Sequence, residues 1–342
     1  MTYRHAELSS ATRAADYPGC MSHAIVIEET GGPEVMQWRE VEQPVPGPGE
    51  LLVETGAAGV NFIDTYLRTG TYRAPLPFTP GKEGAGRVVA VGSDVTEFAP
   101  GDRVAWAMGD GGYAEHVVVP VRLAVRVPDG ISDEQAAAAL LQGMTAHFLA
   151  HSIVQLDAGD IVLLHAGAGG VGLLLTQLLT HRGIRVLTTV STPQKADLSR
   201  SAGAEDVIVG YDRFEERVRE LTDGQGARVV FDGVGRDTFD RSLDAVRSRG
   251  TMVLFGAASG PVPPVDPQTL AAKGSLMLTR PSLNDFIADR AELDYRATDI
   301  FTAISSGELD VRIGATYPMP EAARAHGDLE ARRTTGKVLL TI

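Results

Sequence analysis

Apolar residues in the first third of the chain come in short runs, at 24–27, 51–55, 86–91, 103–107, 114–119 and 124–127. Between them lie segments rich in Gly and Pro, such as Pro44-Val-Pro-Gly-Pro-Gly-Glu50 and Glu97-Phe-Ala-Pro-Gly-Asp102. Runs of that length and spacing predict a mostly antiparallel, partly barrel-like β domain with the Gly/Pro segments as its turns. The texture changes at Ser132. Ser132-Asp-Glu-Gln135 offers a hydroxyl cap, acids in the first turn and an amide at the third helical position, which predicts a helix through 136–141 followed by a second helical run. From 161 to about 279, strand-like runs at 161–165, 185–190, 206–209, 229–232, 251–255 and 275–278 alternate with helical stretches. That alternation implies right-handed crossovers and an α/β fold built on a parallel, doubly wound sheet. After Pro281 two polar helices and a final strand at 337–342 return to the texture of the first segment, so the tail is expected to rejoin the first domain.

The pattern sets residues 1–20 apart. They are polar and alanine-rich, lack the apolar core of a secretory signal, and precede a strand-like run that begins directly after Met21. They are expected to be a flexible appended segment outside the fold. The full length of 342 residues suits two domains, and 44% hydrophobic with 22% charged residues is ordinary for a globular protein. A net charge of −13 opposes nonspecific attraction to nucleic acid or an anionic membrane, and no apolar run is long enough to span a bilayer. The single cysteine, Cys20, rules out an intramolecular disulfide and a cysteine-built metal cluster, which fits a reducing cytoplasm.

The most informative stretch is Ile161-Val-Leu-Leu-His-Ala-Gly-Ala-Gly-Gly-Val-Gly172. Gly167, Gly169 and Gly172 hold the G-x-G-x-x-G spacing between a strand and a helix. The first allows a tight turn, the second lets backbone amides approach a pyrophosphate, and the third lets helix and strand pack closely. An NAD site usually places Asp or Glu at the end of the next strand to bind the ribose 2′-hydroxyl. Here that strand ends in Ser191-Thr-Pro-Gln-Lys195, with no acid before Asp197. A hydroxyl followed by a lysine suits a 2′-phosphate and favours NADPH over NADH. Read alone, Lys195 is an ordinary solvated helix lysine before it is a phosphate ligand.

Five blocks, in order, carry a resemblance. Asn61-Phe-Ile-Asp-Thr-Tyr66, His165-Ala-Gly-Ala-Gly-Gly-Val-Gly172, Val234-Gly-Arg-Asp-Thr238, Phe255-Gly-Ala-Ala-Ser-Gly260 and Thr279-Arg-Pro-Ser-Leu283 resemble those of the NADPH:quinone oxidoreductases, the zeta-crystallin-like, zinc-free branch of the medium-chain dehydrogenases and reductases. The resemblance implies a GroES-like β-rich catalytic domain at 21–142 and 283–342 and a Rossmann NADPH-binding domain at 143–282. Zinc alcohol dehydrogenases of the same superfamily hold their metal with a cysteine and with the histidine of Gly-His-Glu. The equivalent positions here are Asn61 and Lys82, neither a normal zinc ligand, so no metal is expected. His147 and His165 adjoin apolar runs and read as packed or hydrogen-bonded side chains.

Carried over position by position, the resemblance implies a cofactor path. Asn61, Phe62, Ile63, Asp64, Thr65 and Tyr66, with Thr145 and Phe148, surround the nicotinamide. Gly170 and Val171 cover the pyrophosphate. Ser191, Lys195, Tyr211 and Arg332 hold the 2′-phosphate, Tyr211 only if one residue is inserted after Val209. Gly233, the turn of Phe255, Gly256, Ala257 and Ala258, and Pro281, Ser282 and Leu283 complete the path. Tyr66 is the candidate orienting or proton-donating hydroxyl, with Asn61 and Asp64 shaping the nicotinamide end; the alternative is a helix start with a packed aromatic. Without a Lewis acid, alcohol–ketone exchange is disfavoured, whereas a quinone or enone delocalises incoming electrons itself. The implied activity is NADPH-dependent quinone reduction. Reduction of an alkenal or enone double bond stays open, as does one-electron against two-electron transfer, because acceptor choice rests on loops such as 68–80 and 108–112. A reading from another class is an NADPH-binding protein with a structural or RNA-contacting role, the basic stretch 324–333 being its one support. The resemblance also suggests a homodimer through the edges of the nucleotide-domain sheets, near 251–255 and 275–278.

Overall fold

The computed structural model describes residues 20–342, so the expectation for residues 1–20 lies, apart from Cys20, outside the described residues. Two large sheets organise the molecule. In the first half, β1 (Met21–Val26) pairs with β2 (Gln37–Glu42), and β3 (Glu50–Val60) begins a seven-stranded sheet. A short helix α1 (Phe62–Arg68) leaves β3 after Asn61; β4 (Glu83–Val91), β5 (Arg103–Ala107), β6 (His116–Pro120) and β7 (Ala124–Arg126) come next. One edge of β3 serves two partners: Glu50–Glu54 pairs with β6, while Ala57–Val60 pairs antiparallel with the last strand of the chain. Its other edge pairs with β4, so β3 is the spine of this half.

Helix α2 (Asp133–His151) joins the halves. Ser132 caps it, accepting from Gln135 N at 3.1 Å while Gln135 Oε1 accepts from Ser132 N. The expected break after Leu141 does not occur: α2 runs unbroken through Gly143. Gly143 is there for contact, since a Cβ on it would lie 3.1 Å from Ile300 Cγ2. The small residues Ala136–Ala139 are fully buried and let α2 pack closely against the first sheet and against the helices of the second half.

The second half alternates β8 (Ile161–His165), α3 (Gly170–His181), β9 (Arg185–Val190), α4 (Pro193–Ser201), β10 (Asp206–Val209), α5 (Phe214–Leu221), β11 (Ala227–Asp232), α6 (Phe239–Ala245), β12 (Val246–Leu254), α7 (Pro267–Ala272) and β13 (Met277–Thr279). The strands form a parallel sheet in the order β10-β9-β8-β11-β12-β13. The order reverses between β8 and β11, which opens a crevice beyond their carboxyl ends. The tail supplies α8 (Leu283–Phe286), α9 (Arg290–Ser306), β14 (Ile313–Pro318), α10 (Ala322–Glu330) and β15 (Lys337–Thr341). β15 lies between β14 and β3 in the first sheet, and α9 packs on α2. The apolar pattern predicts neither β2 nor β14. β2 reads Gln-Trp-Arg-Glu-Val-Glu with no buried residue, and β14 carries Gly314 and ends in Pro318, so neither shows an apolar run.

Candidate active site

The crevice is built first by a turn. At the end of β8 the chain takes a left-handed conformation at Ala166, φ 56°, and not at Gly167. Gly167 serves another purpose: a Cβ on it would lie 2.6 Å from Thr188 Cβ and from Ser199 Oγ. A Cβ on Gly172 would lie 2.3 Å from Ala166 O, so this glycine lets α3 start directly against the strand. Gly169 caps α3 with no side chain of its own, leaving the first amides of a twelve-residue helix facing the crevice.

At one end of the crevice Ser191, Lys195, Tyr211 and Arg332 share a wall, and among the described residues no carboxylate lines this cavity. Lys195 Nζ donates to the Arg332 carbonyl at 2.7 Å. Burial, and then the Arg332 guanidinium, push the Lys195 ammonium below its ordinary range. Burial raises the Tyr211 phenol. Arg332, in a left-handed conformation, has only an exposed pairing with Asp237 at 3.5 Å. Two cations and a phenol thus face a cavity that no carboxylate lines among the described residues, a composition suited to an anion.

Towards the other end the walls become apolar. Phe62, Ile63 and Tyr66 come from α1, Thr145 and Phe148 from α2, and Val171, Gly233, Phe255 and Gly256 from the nucleotide half. Pro281, Ser282 and Leu283 close it. Phe148 stacks on Phe286 at 4.4 Å. The Tyr66 hydroxyl accepts from Ala257 N at 3.0 Å, its ring meets Tyr72 edge-on at 5.2 Å, and burial pushes its pKa up to about 12. Sequence reasoning points to the loops that supply Tyr72 and Met108 without singling out these residues, and it misses Gln142 and Arg280. Arg280 donates to the Tyr72 hydroxyl at 3.2 Å and is the one charged side chain on this wall among the described residues.

Four expected residues are not on these walls: Asp64, Thr65, Gly167 and Ala257. Asp64 and Thr65 point away from the crevice, and Thr65 Oγ1 donates to Phe62 O. The Asp64 carboxylate is fully buried beneath α1, where it accepts from Asn61 N at 2.9 Å and from the Tyr113 hydroxyl at 3.0 Å. Arg68 can only donate, so its contact with His326 Nδ1 at 3.0 Å places the imidazole proton on Nε2, which donates to the Tyr113 hydroxyl at 3.1 Å. Burial raises Asp64 to about 6 and lowers His326 to about 3, the Arg68 charge adding to the latter. The series ends at the surface, where Arg68 pairs with Glu330 at 2.7 Å.

A second buried group fixes Asn61. Lys337 Nζ donates to Asn61 Oδ1 at 2.9 Å and also pairs with Glu83, whose Oε2 accepts from Asn61 Nδ2 at 2.9 Å. Glu83 and Lys337 are 0% and 1% exposed. Gly59 leaves room for them, since a Cβ there would lie 2.3 Å from Glu83 Oε2. Lys82 turns away and pairs with Asp110. Among the described residues no three His, Cys, Asp or Glu side chains are grouped to hold a metal ion. His165 bonds Thr189 and Ser242 at 2.8 and 2.9 Å, and His147 bonds Asp299 and Arg296, each at 3.1 Å.

Known proteins resemble this chain along nearly its whole length. Residues 47–129 match the alcohol dehydrogenase GroES-like domain, and residues 170–290 match the zinc-binding dehydrogenase domain. A quinone oxidoreductase of Pseudomonas aeruginosa is 46% identical over 94% of this chain and 99% of its own. A 2-haloacrylate reductase from a Burkholderia species is 38% identical over 94% of this chain and 99% of its own. A mycobacterial protein solved in complex with NADPH superposes with a TM-score of 0.91 at 53% identity, covering 94% of this chain and all of that one. With the β-rich half, the parallel nucleotide sheet and the crevice between them, these likenesses show that the chain belongs to the quinone oxidoreductases of the medium-chain dehydrogenase and reductase superfamily.

Proposed function

We propose that the protein is an NADPH-dependent quinone oxidoreductase that works without a metal. The observation that carries this reading is the two-ended crevice, with a carboxylate-free cationic end at Lys195, Tyr211 and Arg332 and an apolar end under Tyr66. The glycine turn at 167–172 fits a dinucleotide, because Gly170 and Gly172, with no room for a Cβ against Gln142 and the Ala166 carbonyl, let the start of α3 pack tightly with its first amides at the crevice. Ser191, Lys195, Tyr211 and Arg332 would hold the 2′-phosphate, and the amides of Gly170 and Val171 the pyrophosphate. When bound, NADPH supplies the reducing equivalents.

The chain's own residues do the rest. Phe62, Phe148, Val171 and Leu283 exclude water from the apolar end. The Tyr66 oxygen is already used as acceptor by Ala257 N, so its proton is free to be offered to an acceptor carbonyl, and its raised pKa keeps that proton in place at neutral pH. Asn61, fixed by Lys337 and Glu83, anchors the start of α1 and thereby Tyr66. The Lys337 ammonium sits on the oxygen atoms of Asn61 and Glu83 that a cation would otherwise seek. A second reading, reduction of a conjugated alkene, is favoured by the likeness to the 2-haloacrylate reductase.

The test is absorbance at the nicotinamide band for NADPH and NADH, with quinones, enals and enones as acceptors and a chelator present. NADPH-selective oxidation by quinones, insensitive to the chelator, is expected; no turnover with any acceptor would sink the reading. Turnover with enones alone would move it to an alkene reductase. We also read residues 21–142 and 283–342 as one unit and 143–282 as the nucleotide unit. A homodimer is supported by β13, a sheet-edge strand with Met277 half exposed. Light scattering should give twice the chain mass, and a monomer mass would refute it. A single cysteine fits a cytoplasmic setting, and −13 net charge offers no general attraction for nucleic acid.

A further inference from the structure

Gln142 lies where the two ends of the crevice meet, lining both the cationic cavity and the apolar one. Its orientation is settled by its neighbours. The Lys337 ammonium can only donate, so the Asn61 atom it meets at 2.9 Å is the oxygen. That same oxygen meets Gln142 at 3.2 Å, which makes the contacting Gln142 atom the amide nitrogen. Gln142 Oε1 is left facing the other way, against the start of α3, so close to Gly170 that a Cβ there would lie 1.7 Å from it. Oε1 is buried and has no hydrogen-bond partner among the described residues. Of the buried side-chain atoms left so, it is the one whose residue lines the crevice.

A dinucleotide lying with its pyrophosphate on Gly170 and Val171 and its nicotinamide against Thr145 and Phe148 places its nicotinamide-side ribose beside Gln142. The donors of that sugar are its two hydroxyls. A buried acceptor without a donor is costly, and a ribose hydroxyl would meet that need. We propose that Gln142 accepts a hydrogen bond from a hydroxyl of the nicotinamide-side ribose and so positions the ring over the acceptor cavity. Lys337, Asn61 and Gln142 then act in series: a fixed charge at one end sets the polarity of the acceptor at the other. This rests on the NADPH reading proposed for the crevice, and Gln142 is a positioning residue, not a catalytic one.

The test is binding, followed by protein fluorescence, of NADPH, of adenosine 2′,5′-bisphosphate, and of reduced analogues lacking the 2′- or the 3′-hydroxyl on the nicotinamide-side ribose. In the wild-type protein one of the two deoxy analogues should bind about 5- to 10-fold more weakly than NADPH, the worth of one hydrogen bond. Gln142→Met should weaken NADPH by a similar factor, leave adenosine 2′,5′-bisphosphate unchanged, and bind that deoxy analogue as tightly as NADPH. Equal binding of NADPH and both analogues by the wild type overturns the proposal without any variant, and so does equal weakening of NADPH and the bisphosphate by Gln142→Met. Failure of the wild type to bind NADPH at all would instead overturn the cofactor reading on which it stands.

Discussion

The hydroxyl of Tyr66 and the amide of Ala257 are hydrogen-bonded at 3.0 Å, joining α1 of the β-rich half to the turn after β12 of the nucleotide sheet. The bond aims the phenol across the crevice and leaves its proton as the free end.

Tyr66→Phe should therefore lower kcat with a quinone on the order of 10- to 100-fold while changing NADPH affinity little. Steady-state rates and a fluorescence titration on the same preparation check this. An unchanged kcat removes the hydroxyl from the reaction.

Lys195→Ala should weaken NADPH by about 1.5–3 kcal/mol, since a charge-assisted phosphate contact is lost, and leave NADH nearly unchanged. Isothermal titration with both cofactors decides it. Equal losses would mean that Lys195 does not read the phosphate.

Lys337→Met strands the Glu83 carboxylate in a site with no solvent access. The expected cost is about 3–5 kcal/mol in urea unfolding. Adding Glu83→Gln should restore part of it, and a double variant as unstable as the single one would show that packing, not charge, is what was lost.

His326 makes stability depend on acid. Its folded pKa is lowered to about 3 from an ordinary 6.5, so above pH 6.5 both folded and unfolded states hold the neutral ring. As pH falls below 6.5 the unfolded chain takes up the proton first and stability drops, by about 2 kcal/mol by pH 5. Asp64 acts with the opposite sign: its carboxyl is raised to about 6, and the advantage of its acid form disappears as pH rises from 3.8 through that value. The stability of wild type minus that of His326→Gln should fall between pH 6.5 and 5. A flat difference would place the titration elsewhere.

The parallel half is readable because its inner strands are continuous apolar runs bounded by helix signals, and β8, β9 and β10 fall on the expected residues. Helix α2 reads as two because Ala136–Ala139 carry no period and Gly143 looks like a break, whereas its real partner, Ile300, is distant in sequence. Asp64 reads as a site residue through its neighbours Ile63 and Tyr66. On a helix its position turns it from their face towards Tyr113, and no single motif shows that buried partner. Gln142 has a local signal: it stands three residues before Thr145, on one face of α2, as the one amide beyond the capped first turn of that helix. What the sequence cannot supply is Lys337, nearly two hundred residues away, which gives that amide its direction.

Gly336 and Gly169 form an isolated parallel bridge, and Gly336 N donates to Ala168 O at 2.9 Å, so the lead into β15 is laid against the phosphate turn. Arg332, Thr334, Gly336 and Val338 form part of the same cavity wall. The cavity is thus finished by residues that follow nearly every other element of the fold in sequence. The parallel sheet contains none of these residues, yet the cavity is complete only with β15 in place beside β3. Cofactor retention is then a report on the β-rich half as well, because the strand that completes the cavity wall is also the buried inner strand between β14 and β3.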